Sequence, residues 1–387
     1  MTSVISQKQV VDIVSKLIEQ PSYNPGSDEY GVSEYIKSFM EKLDIEVTLV
    51  PISEQRTNVI ARLKGDGSAA PLAFTGHMDV VPVNDTELQK WITKPFVPNL
   101  IDGQLYGRGA ADMKGGLGAA MAALQAIRLQ GIVPPGDVLL IATVDEEDVM
   151  RGAKELITTN LLDDVKHLVI CEPSDMQLMC CCRGRTWADI TLLGESGHAS
   201  IQGNGNNTIV HAATLIQALD SVSLPCMPHP LLGNVFWQST VIHGGVEPAM
   251  VPDTCVVTVD ARLIPGTSSS DIWDAMHQLL ERLHAENNKF EATVNIIEER
   301  EAWETPVDHP LTQLAIHSYK AIQLPVTYGG ASYTTDGAYL GKLGMNMIII
   351  GPGDIALAHR HNEAVPVIQL QQAAELYYQM ILNNNLK

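Results

Sequence analysis

The chain has 387 residues, a net charge of −20 at neutral pH, 45% hydrophobic residues and 18% charged ones. That length exceeds one ordinary core, so two domains are expected, and the charge excludes nucleic acid and anionic membranes as natural partners. No apolar run reaches the ~18 residues of a membrane helix, and the polar start from Met1 to Gln9 lacks a secretory apolar stretch, so a cytoplasmic protein is expected.

The six cysteines do not read as a disulfide framework. Cys180, Cys181 and Cys182 are consecutive, and neighbours in sequence pair poorly. Cys171, Cys226 and Cys255 sit in apolar runs and read as reduced, buried thiols. No Cys-x-x-Cys pairs stand together, which argues against a thiolate zinc site.

In chain order, apolar residues recur at helical spacing over 8–20 (Val10, Val14, Leu17) and 30–43 (Val32, Ile36, Met40). A Pro21 to Gly26 loop breaks them apart. Strands are expected at 45–50, 58–63 and 72–77, the last ending on His77. A small-residue helix is expected at 116–130, with Asp112 just before it. Apolar strands at 138–143 and 165–171 run into Asp145-Glu146-Glu147-Asp148 and into Glu172. Three times an apolar strand ends on a ligand-type residue, the signature of a mostly parallel sheet delivering side chains to one edge.

From about residue 183 the pattern changes to alternation. Strands at 186–193, 235–243, 254–264 and 290–297 and helices at 207–222 and 270–287 give the order β-α-β-β-α-β, which is ferredoxin-like. The expected fold is therefore α/β: a catalytic domain from 1–182 and 297–387, with an α+β domain inserted at 183–296. After it come a helix at 311–322, a strand at 346–350, the turn Gly351-Pro352-Gly353, the run His359-Arg360-His361-Asn362-Glu363 and a helix at 368–383.

Imidazole and carboxylate groups suit borderline divalent metals, and two metals can share one carboxylate. His77, Asp112, Glu172, the Glu146-Glu147 pair and a His near Asn362 are the candidates. Adjacent residues rarely face one ion together, so one of Glu146 and Glu147 can ligate while the other serves as a general base. Acidic groups at apolar strand ends are costly to bury without a compensating cation.

These motifs resemble the M20 family of zinc peptidases and deacylases. The matching text is Gly76-His77-Met78-Asp79, Gly107-Arg108-Gly109 running on to Asp112-Met113-Lys114-Gly115-Gly116, Asp145-Glu146-Glu147, Glu172-Pro173-Ser174, Ser196-Gly197-His198 and His359 to Glu363. It spans essentially the whole chain. The resemblance implies two divalent metal ions, zinc first and cobalt or manganese as substitutes. His77, Asp112 and Glu172 would hold one; Asp112, Glu147 and His359 the other. His359 is chosen over His361 because it stands three residues before Asn362 in the family pattern. Glu146 would be the general base, and Asp79 would orient His77. His198 would reach the site of a partner subunit, implying a homodimer through 183–296. Arg262 would bind a substrate carboxylate, and Thr334 and Thr335 would line the acyl pocket. The implied activity is amide hydrolysis of an N-acyl amino acid, as in acetylornithine deacetylase or succinyl-diaminopimelate desuccinylase. A dipeptidase or carboxypeptidase, or a metal-binding module without catalysis, are the alternatives. Two departures are plain: Ala249 stands at a family Asn position, and Ala338 follows Gly337 where desuccinylases carry Arg.

Overall fold

A computed structural model describes residues 3–224 and 227–387; Cys226 lies outside them. The chain divides into two compact units. The first comprises Met1–Cys181, Glu304–Ala331 and Thr335–Lys387, and the second Cys182–Trp303 with Ser332–Thr334. The boundary expected at 296 falls inside the strand Glu291–Arg300, which ends that unit's sheet.

The first unit is built on a mixed sheet. At its centre Val138–Thr143, Leu72–His77, His167–Ile170 and Asn346–Ile349 lie side by side and parallel. Glu46–Ser53 and Arg56–Leu63 add an antiparallel flank beside Val138–Thr143. The antiparallel strand Leu178–Cys182, not anticipated from the sequence, joins the other side. Its run of small thiols is apolar on both faces and shows no alternation.

Three of the four parallel strands, Leu72–His77, Val138–Thr143 and His167–Ile170, are wholly buried, as expected when helices cover both faces. Helices Lys114–Leu129 and Val367–Leu382 pack on each other, and Gln7–Ile18 packs on both. Lys114–Leu129 supplies the small residues at these contacts: a Cβ on Gly118 would lie 2.5 Å from Val14 and one on Gly115 3.2 Å from Leu370. Ser6 caps Gln7–Ile18 by accepting from Gln9 N.

The second unit carries a four-stranded antiparallel sheet in the order Phe236–Gly244, Thr254–Leu263, Gly184–Leu193, Glu291–Arg300. With helices Thr208–Leu219 and Ser269–Glu286 between strands, this is the ferredoxin-like arrangement. The capping box on Ser268 and Asp271 starts the second helix. Alternation along Gly184–Leu193 buries Thr186, Ala188, Ile190 and Leu192 and leaves Arg185, Trp187 and Asp189 half-buried on the other face.

Candidate metal centre

The parallel register sets the site. His77 is the last residue of its strand and stands opposite Thr143, so Asp145 to Glu147 emerge beside it. Ile170 ends the next strand, and Glu172 follows. Asp112 comes from the segment before helix Lys114–Leu129. Glycine at position 116 sets how closely that helix docks, since a Cβ there would lie 1.8 Å from the Cys171 carbonyl oxygen. The helix start is thus seated on the peptide next to Glu172. His359 lies in the left-handed region (φ 59°), an uncommon backbone for this residue type and frequent at functional loops.

The two carboxylate oxygens of Asp112 face two different histidines. Oδ1 is 3.0 Å from His77 Nε2, and Oδ2 is 3.2 Å from His359 Nε2. Glu172 Oε1 lies 3.6 Å from His77 Nε2, and Glu147 Oε2 lies 3.0 Å from His359 Nε2. Ligand-type atoms of His77, Glu146 and Glu172 fall within 4.8 Å of one another, as do those of His77, Asp112 and Glu147. Glu146 therefore stands among the same groups. This donor set, imidazole nitrogens with carboxylate oxygens, fits borderline divalent metals, and Asp112 is shaped to span two of them.

The electrostatics carry the same message. Burial raises the Glu147 carboxyl, the Asp112 charge adds to it, and it stands at about 7 despite His359 and His77 nearby. Burial and the Asp112 charge push Glu172 well up. Burial pulls His77 down, but Glu172, Asp112 and Asp79 overcome it and hold the imidazole well above its ordinary range. Hydrogen bonds to Asp112 and Glu147 bring His359 to about 10, against its burial. Burial alone would raise Asp112; the two histidines lower it instead. Protons thus compensate crowded carboxylates, a role for which divalent cations are better suited.

Bonds behind these groups fix their positions. His77 Nδ1 donates to the backbone carbonyl of Asp79 at 2.9 Å, which turns Nε2 toward Asp112 and Glu172. The Asp79 carboxylate is 3.5 Å from Nδ1 and also accepts from the backbone N–H of Glu146 and of Glu147, each at 3.1 Å. Asn24 Nδ2 bridges Asp79 and Asp145 at 3.1 and 2.7 Å. Asp145 is held by Arg151 and by Arg56, and Arg56 also pairs with the fully buried Glu29 carboxylate. Burial and the Asp79 charge raise Glu29 to about 8.

A second brace joins the two loops that carry Asp112 and His359. Glu363 Oε1 accepts from Ala111 N and Asp112 N at 2.9 and 3.0 Å. Its Oε2 accepts from Arg108 Nη1 at 2.8 Å, and the same nitrogen donates to the Arg360 carbonyl at 3.1 Å. Arg108 Nη2 donates to Glu87 at 2.5 Å, and the guanidinium lies over the Trp91 ring. Arg108 and Glu363 are each 1% exposed. Sequence reasoning assigned no role to Asn24, Glu29, Arg56 or Arg108. A basic residue inside an otherwise glycine-rich, buried stretch was the available signal for Arg108.

Thr335 is buried in the first unit, where Oγ1 accepts from Gly337 N at 3.2 Å. His198, Arg262 and Thr334 belong to the second unit. His198 is exposed on the short strand Gly197–His198, paired with Met250–Val251. Its Nδ1 accepts from Ser200 N at 3.2 Å, so the proton of the neutral ring sits on Nε2. Arg262 donates twice to Asp260, at 3.0 and 3.1 Å. Thr334 Oγ1 accepts from Arg300 at 3.4 Å.

The family model described as Peptidase family M20/M25/M40 matches residues 73–383. A Staphylococcus aureus protein named "Probable succinyl-diaminopimelate desuccinylase" is 26% identical, over 95% of this chain and 97% of its own. An acetylornithine deacetylase of Myxococcus xanthus is 28% identical over 82% of this chain and 81% of its own. Among solved structures, the aminopeptidase PepT of Bacillus cereus superposes with a TM-score of 0.81 at 20% identity, covering 98% of each chain.

Proposed function

The chain belongs to peptidase family M20/M25/M40, and from that premise we propose that it is a dinuclear metal hydrolase cleaving the amide bond of a small N-acyl amino acid. The observation that carries this reading is the Asp112 carboxylate, whose two oxygens face His77 and His359 separately.

His77, Asp112 and Glu172 would hold one divalent ion, and Asp112, Glu147 and His359 the other. Zinc is the first choice, with cobalt and manganese suited to the same ligands. Bound there, the ions would polarise the scissile carbonyl and make a water acidic enough to be a nucleophile near neutrality. Glu146 takes the proton of that water onto its carboxylate and returns it to the leaving amine nitrogen. Asp79 holds the Glu146 and Glu147 peptide N–H groups, so the base and the neighbouring ligand are aimed as a unit. The Nε2–H of His198 is the donor for the oxyanion, reaching the partner subunit's site in a homodimer formed through 183–296. Arg262, Thr334 and Thr335 are the substrate-binding residues. Among the described residues no helix is long and apolar enough to cross a membrane. Cys171, Cys180, Cys181 and Cys255 are free and buried, which agrees with a reducing, cytoplasmic setting.

Glu146→Gln tests the assignment. Metal content stays at the wild-type level, and kcat falls by roughly 10²–10⁴. Full activity in that variant removes Glu146 as the base. The second reading, a peptidase acting on dipeptides or tripeptides, is favoured by the fold likeness to an aminopeptidase. A panel of N-acetylornithine, N-succinyl-diaminopimelate and dipeptides separates the two.

A further inference from the structure

Glu146 and Glu147 stand on a turn whose backbone is held from behind. Three consecutive peptide N–H groups donate to buried carboxylates: Asp145 N to Glu29 Oε1 at 3.2 Å, then Glu146 N to Asp79 Oδ1 and Glu147 N to Asp79 Oδ2, each at 3.1 Å. The turn lies outside helix and strand, so these bonds take the place of a ladder. Asp145 sits in the left-handed region (φ 66°), an uncommon backbone for a residue with a side chain, and one that its surroundings must impose.

Arg56 joins the two carboxylates that do this. Its Nη1 donates to Glu29 Oε1 at 2.8 Å and to Asp145 Oδ1 at 3.1 Å. Its Nη2 donates to Asn24 Oδ1 at 3.0 Å and to the Ser27 carbonyl at 2.9 Å. With its amide oxygen turned to Arg56, Asn24 presents Nδ2 to the acids, at 3.1 Å from Asp79 Oδ2 and 2.7 Å from Asp145 Oδ1. Reversed, that amide would set an oxygen against two carboxylates and an NH2 group against a guanidinium. Arg56 is thus tied to Glu29 directly and to Asp79 through one side chain. The Arg56 side chain is 11% exposed, and those of Glu29, Asp79 and Asp145 are fully buried. A planar, fixed fork with several donors is what such a junction requires. Asp145 also has a second cation in Arg151, at 2.8 Å, so its charge stays compensated without Arg56.

We infer that Arg56 is a positioning residue for the reaction: through Asn24 and Asp79 on one side and Glu29 on the other, it holds the turn that presents Glu146 at the metal centre. The inference rests on the reading of Glu146 as the general base. The four hydrogen bonds of Arg56 go to Glu29, Asp145, Asn24 and Ser27, none of them a proposed metal ligand. Its loss is therefore felt in the chemical step and not in metal content. A reacting group displaced by about 1 Å costs on the order of 100-fold in rate.

The test is a double-mutant cycle of Arg56→Met and Glu146→Gln in the metal-loaded, full-length protein, assayed on the N-acyl amino acids and dipeptides of the panel above. Arg56→Met lowers kcat by roughly 10–100-fold, leaves KM within about twofold and keeps the wild-type metal content. In the Glu146→Gln background the same substitution costs less than about twofold, because Arg56 acts through the base. Arg56→Lys, which keeps the charge without the fork, falls between wild type and Arg56→Met. Guanidinium at millimolar concentration restores part of kcat to Arg56→Met and none to Glu146→Gln. Asn24→Ser, which alters no charge, breaks the same link and gives the same pattern, so the cycle is decided even where Arg56→Met does not fold. An unchanged kcat, or a loss equally large in the Glu146→Gln background, overturns the proposal and leaves a structural ion network. Full activity in Glu146→Gln alone overturns the base reading and this proposal with it. A disabled Glu146→Gln beside an unimpaired Arg56→Met overturns the positioning role only.

Discussion

Removing Arg108 separates the two halves of the metal centre. The side chain is 1% exposed and pairs with a carboxylate that is also 1% exposed, so Arg108→Met leaves Glu363 buried without its cation. Breaking such a pair costs about 3–5 kcal/mol, a large share of the ~5–15 kcal/mol that holds a typical domain together. Burial already raises Glu363, and Arg108 is the main force lowering it. Without Arg108 the carboxyl gains a proton more readily and holds the Ala111 and Asp112 N–H groups less firmly. The Arg360 carbonyl also loses its donor, which frees the loop carrying His359. His77 keeps its bond to the Asp79 carbonyl, and Glu172 stays on its strand end. Loss of an outer hydrogen-bond partner typically weakens metal binding by about 10–100-fold, and here the loss is expected mainly at the site proposed for His359 and Glu147. Calorimetric titration of chelator-stripped protein with cobalt reads both events. Wild type shows two tight sites; Arg108→Met keeps the first nearly intact and loses the second by that factor. Equal weakening of both sites, or none, refutes the division of labour.

Three further outcomes follow from the geometry. Gly116→Ala drives a methyl into the Cys171 carbonyl, so thermal unfolding shows a loss of at least about 1–3 kcal/mol, and the metal sites weaken together. An unchanged melting temperature contradicts the close docking of that helix. The metal-free protein loses stability as pH rises from 6 to 9. Glu147 sits at about 7 against an ordinary 4.5, and His359 at about 10 against 6.5. Both values are raised on folding, so both contributions are present at low pH and lost as pH rises through those windows. Bound metal reverses the trend, and a melting temperature of the stripped protein that climbs over this range contradicts the sign. Metal binding releases protons, since Glu147 and His359 must give theirs up, and the apparent affinity increases between pH 6 and 8. Calorimetry in two buffers of different ionisation enthalpy measures the release; a value of zero excludes these ligands.

Much of the frame can be read from the residues. Buried parallel strands appear as unbroken apolar runs, and the ligand-type residues at their ends mark the sheet edge. The spacing of His359 to Asn362 picked the histidine that the fold brings to Asp112. What stayed hidden depends on contacts far apart in sequence. Asn24 meets Asp145 from 121 positions away, and Arg108 meets Glu363 from 255. No local periodicity encodes such pairs. Asp79 shows the limit differently: its carboxylate lies 3.5 Å from His77 Nδ1, in line with its sequence position, but the backbone carbonyl is the closer acceptor and the carboxylate also accepts from two peptide N–H groups.

The proposed amide hydrolysis depends on two metal ions held around Asp112. Its most direct test is stepwise return of zinc to chelator-stripped protein, with turnover of N-acyl amino acids followed at each addition. The stripped protein is expected to be inactive, with two bound ions per chain at saturation and activity restored as both sites fill. Undiminished hydrolysis in the stripped protein, or saturation without bound metal, contradicts it.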